Sequence, residues 1–257
     1  MLRAGDIQLA HLGRTLEVTK KGAIDLVTEV DLAVERMFRD LVAERFPDHQ
    51  VVAEELGGER GAARAPYCWV FDPLDGTTNY AHGLPLFCSS LALEIEGQLA
   101  VGAIYDPTRR ELFTATDGGG AYLNGSPLSV SSCQTLIDGL LVTGFSYQVQ
   151  EEASHLVDLF RLFLQKTQAV RRLGSAALDL CYVAAGRFDG FWEQGLKPWD
   201  MAAGALIVRE AGGTVTGMDG SRFRLDEGHI LAATPGLHDA MRRVIADWET
   251  ASPTRGT

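Results

Sequence analysis

The sequence predicts an α+β protein with an antiparallel-rich N-terminal half and a smaller, layered α/β C-terminal half. Three observations carry this. Apolar residues recur at helical spacing between Asp31 and Phe46, strand-like segments separated by turn residues fill Phe87 to Leu128, and helical and short strand-like segments alternate from Ser154 to Thr216. With 257 residues, 46% of them hydrophobic, the chain can bury one compact core or two closely packed subdomains. The change of pattern near residues 131–140 suggests a division into 1–135 and 136–257.

Taken in order, the first clear element is a helix whose apolar face is Val34, Met37, Phe38, Leu41, Val42 and Phe46. Thr28, with Asp31 three residues on, forms the pattern of a capping box. After the break at Phe46–Pro47–Asp48–His49, Gln50–Ala53 and Cys68–Asp72 are short and apolar or β-branched, as buried strands are. Each runs straight into carboxylates. Turn residues at Glu96–Gly97–Gln98, Asp106–Pro107, Asp117–Gly120 and Asn124–Gly125 divide the next stretch into an antiparallel meander. Helices are then expected at Ser154–Leu164, Ala176–Ala185 and Asp200–Ala211, with strands at Gly190–Trp192 and Thr214–Thr216. The residues from Ala251 to Thr257 are small, polar or Pro/Gly and read as a frayed end.

Acidic residues outnumber basic ones by 34 to 23, and no Lys/Arg-rich run interrupts the excess. That argues against a nucleic-acid or anionic-membrane surface and makes cations the expected partners. Cys68, Cys88, Cys133 and Cys181 are widely spaced, form no CxxC, and read as reduced core residues. No run of about 18 apolar residues occurs and no apolar stretch follows a basic start, so a soluble cytoplasmic protein is expected.

The chemistry concentrates in Trp69–Val70–Phe71–Asp72–Pro73–Leu74–Asp75–Gly76–Thr77–Thr78–Asn79–Tyr80, an apolar strand ending in two aspartates and a glycine-threonine turn. Pro73 sets the backbone between the aspartates, so the Asp72 and Asp75 carboxylates and the Leu74 carbonyl can converge on one point, as hard cations require. A helix starting after Gly76 would turn its free N–H groups toward the same place and could hold a phosphate. Glu54–Glu55 after one strand, and Asp200 in Trp199–Asp200–Met201–Ala202–Ala203–Gly204, are further acidic groups at element ends. Carboxylates crowded together raise one another's pKa unless a divalent ion compensates them. Taken alone, Asp200 reads more readily as a helix cap, and the acidic context shifts that reading.

Asp72–Pro73–Leu74–Asp75–Gly76–Thr77 matches the DP(I/L)DGT motif of the inositol monophosphatase family, and Trp199–Gly204 resembles its WDxAAG motif. Upstream, Asp25–Leu26–Val27–Thr28–Glu29–Val30–Asp31 is similar to DLVTxxD, and Ala53–Glu54–Glu55 to GEE; downstream, Glu210–Ala211–Gly212–Gly213 also fits. Four ordered motifs between about residue 20 and residue 235 make chance an implausible source. One departure is Ala53 in place of a glycine, which matters only if that backbone needs a positive φ.

The resemblance implies a layered α/β/α/β/α sandwich of the sugar phosphatase type. It implies Mg²⁺-dependent hydrolysis of myo-inositol monophosphate or a similar polyol or sugar phosphate, with metal-activated water as nucleophile and two or three ions. Glu54, Asp72 and the Leu74 carbonyl would hold one Mg²⁺, and Asp72, Asp75 and Asp200 the second. Glu54 and Thr77 would position the water, with Asp31 accepting from the Thr77 hydroxyl and supporting a third, weaker ion; as a cap, Asp31 would need neither role. Gly76, Thr77 and Thr78 would face the phosphate. Asp75, Ser175, Ala176, Glu193 and Asp200 would line the substrate, Glu193 accepting hydrogen bonds from inositol hydroxyls unless it is only a rim acid. Lys20 would balance phosphate charge or be merely solvated. His82 reads as structural, and Trp69 and Trp199 as excluding water from the site floor.

Within the same superfamily, a fructose-1,6-bisphosphatase, a histidinol-phosphate phosphatase or a nucleotide 3′-phosphatase would share this metal chemistry. From a different class, some bacterial family members act as protein-binding regulators of transcription and ribosomal RNA maturation. The resemblance also implies a homodimer and lithium sensitivity, while the acidic balance leaves no direct nucleic-acid or membrane contact expected.

Overall fold

The structure is a computed structural model describing residues 1–14, 18–20, 26–58, 65–146 and 149–251. Its main sheet has seven strands: β3 (Gln50–Ala53), β4 (Tyr67–Asp75), β5 (Cys88–Ile95), β6 (Gln98–Asp106), β7 (Glu111–Thr116), β8 (Gly120–Leu123) and β9 (Ser126–Pro127). They lie side by side in chain order, with β3 and β4 parallel and every later pair antiparallel. The turn residues read from the sequence separate these strands. A short hairpin of β1 (Val18–Lys20) and β2 (Leu26–Thr28) precedes the sheet.

Two helices cover one face of this sheet, α1 (Leu2–His11) and α2 (Glu29–Arg45). The capping box of α2 is present in both halves, and the helix extends two residues beyond the predicted start. Because successive side chains of a strand point to opposite faces, β4 sends Trp69 and Phe71 toward α2 and Cys68 and Val70 toward the other side. Trp69 consequently belongs to an aromatic cluster with Phe38, Phe46 and His49, its indole N–H 3.0 Å from His49 Nδ1. This corrects its expected place on the site floor.

On the opposite face lie α5 (Ala176–Ala184) and α6 (Pro198–Glu210), packed against each other. Their small residues permit a close approach: a Cβ on Gly204 would stand 2.5 Å from Leu180 Cδ1, and one on Gly102 of β6 would stand 2.9 Å from the Ala203 carbonyl. Behind them is a second sheet in the order β11 (Ala169–Arg171), β10 (Leu140–Thr143), β12 (Gly190–Gln194), β14 (His229–Ala233), β13 (Thr214–Thr216), with β10 parallel to both its neighbours. The outermost layer is α4 (Val149–Leu164) and α7 (Pro235–Ala251). Five layers therefore alternate helix, sheet, helix, sheet, helix, as the resemblance implied. A short α3 (Thr77–Ala81) follows β4.

Cys68, Cys88 and Cys181 are buried and all four cysteines are free, while Cys133 is only half-buried. Among the described residues no helix is long and apolar enough to cross a membrane. Lys21, Asp25 and the tail from residue 252 lie outside the described residues.

Candidate active site

The β4–β5 register shifts between Asp72 and Asp75, where Asp72 pairs with Ser90 and Asp75 with Cys88. This irregularity lets both aspartates turn toward one side of the strand end. The Leu74 amide donates to Asp72 Oδ1 at 2.8 Å, which fixes the carboxylate's orientation. Next comes Gly76 with a left-handed φ of 92°; a Cβ there would meet the Leu86 carbonyl at 2.8 Å, so the DGT turn needs glycine on both counts. Asp200 arrives from the first turn of α6, which begins at Pro198 and is anchored to β5 by the Ser90 hydroxyl donating to the Trp199 carbonyl at 3.0 Å. One carboxylate oxygen from each of Asp72, Asp75 and Asp200 lies within 4.8 Å of the others.

Asp75 Oδ2 accepts from the Ser175 hydroxyl at 2.6 Å and from the Ala177 amide at 2.8 Å, so the N-terminus of α5 holds it in place. Asp200 Oδ2 accepts from the Lys197 amide at 2.7 Å, as the returning half of a capping box does. The cap reading of Asp200 and its membership of the acidic cluster hold together. Burial raises the pKa of all three. For Asp72, pushed well above the usual range, the charges of Glu54, Asp75 and Asp200 add to burial, and for Asp200 those of Asp75, Glu54 and Glu193 do. Among the described residues no basic side chain stands among the strongest influences on them. Uncompensated convergence of hard oxygens is the environment a divalent cation fits, since the ion removes the repulsion that makes the cluster unfavourable.

These groups line a cavity of about 360 Å³. Glu54, Leu74, Gly76, Thr77, Thr78, Ser175, Ala176 and Glu193 line it as well, so the structure gathers nearly all the residues expected from the sequence. Glu54 stands outside the trio of closest carboxylates. Behind the wall, Asp31 is fully buried and divides its two oxygens: Oδ2 takes the Thr28 amide at 2.9 Å and the Thr28 hydroxyl, while Oδ1 lies 3.2 Å from the Thr77 hydroxyl. Cap and Thr77 partner are both true of it. The Thr77 hydroxyl has one proton and lies closer to the Leu74 carbonyl, at 2.8 Å. Ser175 caps α5 and gives its proton to Asp75, a task the substrate reading did not foresee. Of Lys20 the structure describes only the strand backbone. His82 is exposed at the end of α3 and outside the cavity lining, while Trp199 lines it. Ala53 has ordinary strand backbone, so its replacement of glycine is harmless.

Glu193, also in the cavity lining, is 7% exposed, and a Cβ on Gly144 would stand 2.1 Å from its Oε2, so a side chain there would have to displace the carboxylate. Burial, opposed by Arg172 and assisted by Asp75, pushes its pKa from 4.5 up to about 8. Beside it is Asp179, buried, with neither oxygen hydrogen-bonded, its pKa raised well above 3.8 by burial and then by Glu193. Sequence reasoning missed Asp179, Arg172 and Phe145 in this wall. The available signal for Asp179 was a single acid inside the otherwise apolar run Ala176–Ala184.

A sequence profile of the inositol monophosphatase family matches residues 2–250. The chain belongs to the inositol monophosphatase family. It is 44% identical over 247 residues to an inositol-1-monophosphatase of Synechocystis, covering 96% of this chain and 86% of that one. It is 45% identical over 226 residues to the Nus factor SuhB of Escherichia coli K12, covering 88% of this chain and 84% of the relative. Among solved structures, the inositol monophosphatase from Anabaena (Nostoc) superposes with a TM-score of 0.87 at 42% identity, covering 96% of this chain and 92% of that chain. The inositol monophosphatase family thus accounts for nearly the whole chain, the N-terminal helix included.

Proposed function

We propose that this chain is a Mg²⁺-dependent phosphomonoesterase that hydrolyses myo-inositol monophosphate or a closely similar polyol phosphate. The observation that carries the reading is the convergence of Asp72, Asp75 and Asp200 within 4.8 Å on the wall of a cavity of about 360 Å³. In this reading Glu54, Asp72 and the Leu74 carbonyl hold one ion and Asp72, Asp75 and Asp200 hold a second. Mg²⁺ bound there supplies electrostatic stabilisation of the phosphoryl oxygens and activation of water. Asp75 is kept in position by Ser175 and Ala177. Glu54 and Thr77 orient the attacking water, and Asp31 biases the direction of the Thr77 hydroxyl. Gly76, which precedes α3, and Thr77 and Thr78 in its first turn face the phosphate. Glu193, in the cavity wall, takes the hydroxyls of the alcohol portion. A homodimer, lithium sensitivity, a third ion near Asp31, phosphate balancing by Lys20 and a cytoplasmic location belong to this reading through the family resemblance.

The test is phosphate release from myo-inositol 1-phosphate by purified protein, with Mg²⁺ titrated against EDTA. Release that needs Mg²⁺ and is abolished in Asp72→Asn is expected; release without a divalent ion would overturn the reading. Running fructose 1,6-bisphosphate, histidinol phosphate and a nucleotide 3′-phosphate beside it separates the superfamily alternatives. A faster reaction with any of these would move the substrate while leaving the metal chemistry.

The likeness to a Nus factor supports a second reading, in which the chain also binds a protein partner of the transcription machinery. The acidic excess and the lack of a basic run in the sequence disfavour direct RNA contact. Capture of RNA polymerase or its elongation factors by catalytically silent Asp72→Asn protein supports this reading, and failure to capture them removes it.

A further inference from the structure

Glu35 is a charged side chain with no exposed surface, on the helix α2 that carries Asp31. Its Oε2 accepts from the Glu55 amide at 2.8 Å, and its Oε1 accepts from the Leu56 amide at 3.0 Å and from Arg39 Nε at 2.8 Å. Burying a carboxylate is strongly unfavourable unless hydrogen bonds satisfy it, and here two of the three donors are consecutive backbone amides of the segment that follows Glu54. Arg39 also donates to the Gly57 carbonyl, which accepts from the Ala53 amide at 3.3 Å and closes the turn. The segment leaving β3 is thus fastened to α2 at three successive residues, Glu55, Leu56 and Gly57.

One turn earlier on the same face, Asp31 reaches Thr77. Residues four apart on a helix are separated by about 6 Å along its axis, a spacing set by the helix's own hydrogen bonds. We propose that Glu35 is a positioning residue: together with Asp31 it makes α2 a ruler that fixes Glu54 relative to Thr77, the two side chains assigned to the attacking water. The inference rests on the metal and water roles given above to Glu54 and Thr77. It adds that their separation is imposed by a helix that itself stays outside the cavity. Residues four apart in sequence thereby control two side chains twenty-three apart.

The test compares Glu35→Gln and Glu35→Asp with Glu54→Gln. Mg²⁺ binding is read by calorimetry on substrate-free protein and turnover by phosphate release, both well below each variant's melting temperature. Glutamine offers one acceptor oxygen to the two amides, and aspartate keeps the charge but falls a methylene short. Each should weaken Mg²⁺ binding and lower kcat about 10- to 100-fold, the usual range for groups that orient a metal ligand, with KM changed far less. In the double variant Glu35→Gln/Glu54→Gln the loss should be no greater than in Glu54→Gln alone, because Glu35 acts through Glu54. Additive losses would overturn the inference. So would a Glu35→Gln that melts earlier but binds Mg²⁺ and turns over like the wild type while Glu54→Gln is impaired. A Glu54→Gln with wild-type Mg²⁺ binding and turnover would overturn the inference and the role of Glu54 together. A measurement needing no variant is amide exchange in metal-free wild type. Glu55 and Leu56 should be protected, and exchange at the rate of open loop would show that the clamp does not exist.

Discussion

Replacing Asp31 by asparagine separates its two tasks, because an amide has one acceptor oxygen where the carboxylate has two. The Thr28 side supplies two donors to one oxygen, the amide at 2.9 Å and the hydroxyl, whereas Thr77 lies 3.2 Å from the other. The asparagine oxygen should therefore stay with the cap and turn its NH₂ toward Thr77, leaving the threonine hydroxyl free to donate only to the Leu74 carbonyl at 2.8 Å. A neutral acceptor replacing a charged one at an intact cap should cost about 1 kcal/mol, or roughly 2–4 °C of melting temperature in a chain of this size. If the Thr77 orientation matters to the attacking water, losing one hydrogen bond to a charged group is worth about 1.5–3 kcal/mol in the transition state, or about 10- to 150-fold in kcat. Thr77→Ala should give a similar kcat, and the double variant should be no slower than either. The assay is steady-state phosphate release at saturating Mg²⁺ and inositol phosphate, paired with a thermal melt. Wild-type kcat in Asp31→Asn with a lowered melting temperature would refute the reasoning and leave Asp31 as a helix cap alone.

Three other outcomes are expected. Saturating Mg²⁺ should raise the wild-type melting temperature by mass action and should do so far less in Asp72→Asn and Asp200→Asn, whose turnover should fall by orders of magnitude; an equal shift in all three proteins would place the ion elsewhere. In EDTA, stability should fall as pH rises. Glu193 has its pKa raised from 4.5 to about 8, so between these values the native state holds a proton that the unfolded chain has released, and the buried aspartates of the site have the same sign. The Glu193 contribution is complete below 4.5 and lost through about 8, and Mg²⁺ should remove the part of the drop that comes from the aspartates; melting temperatures flat or rising with pH in EDTA would contradict it. Above pH 8, where Glu193 is a carboxylate, Glu193→Gln should cost about 1.5–3 kcal/mol in kcat/KM with inositol phosphate and leave a small aryl phosphate nearly unaffected. Equal losses on both substrates would make Glu193 a support of the wall and not a reader of hydroxyls.

Local signals carried much of the fold. The three- and four-residue spacing of α2 and its Thr28–Asp31 box are properties of one helix, and the meander from β5 to β9 is punctuated by turn residues with little choice of conformation. Other elements left weaker traces. The helix α1 buries Ala4, Gly5 and Gln8, small or polar residues that make no apolar stripe. The strands β10 and β14 are four- and five-residue runs packed on both sides, so they show no alternation to read. Placing Trp69 at the site floor followed its nearness in sequence to Asp72, whereas strand parity puts it on the α2 face with Phe71.

By itself the sequence named the candidates: Asp72 and Asp75 share one proline-containing turn of four residues with Leu74, and family motifs added Glu54 and Asp200. Only the tertiary structure decided that these groups meet. Asp200 is more than a hundred residues from Asp72, and it joins Asp75 within 4.8 Å because α6 settles closely onto β6 through Gly102 and Ala203. The unforeseen parts of the site have the same origin. Glu193 on β12 adds to the raised pKa of Asp179 on α5, Ser175 holds Asp75 from the cavity wall, and Glu35 grips a segment twenty residues away. Spacing along a chain sets which side of an element a residue occupies; the contact it makes there depends on which distant element packing brings opposite.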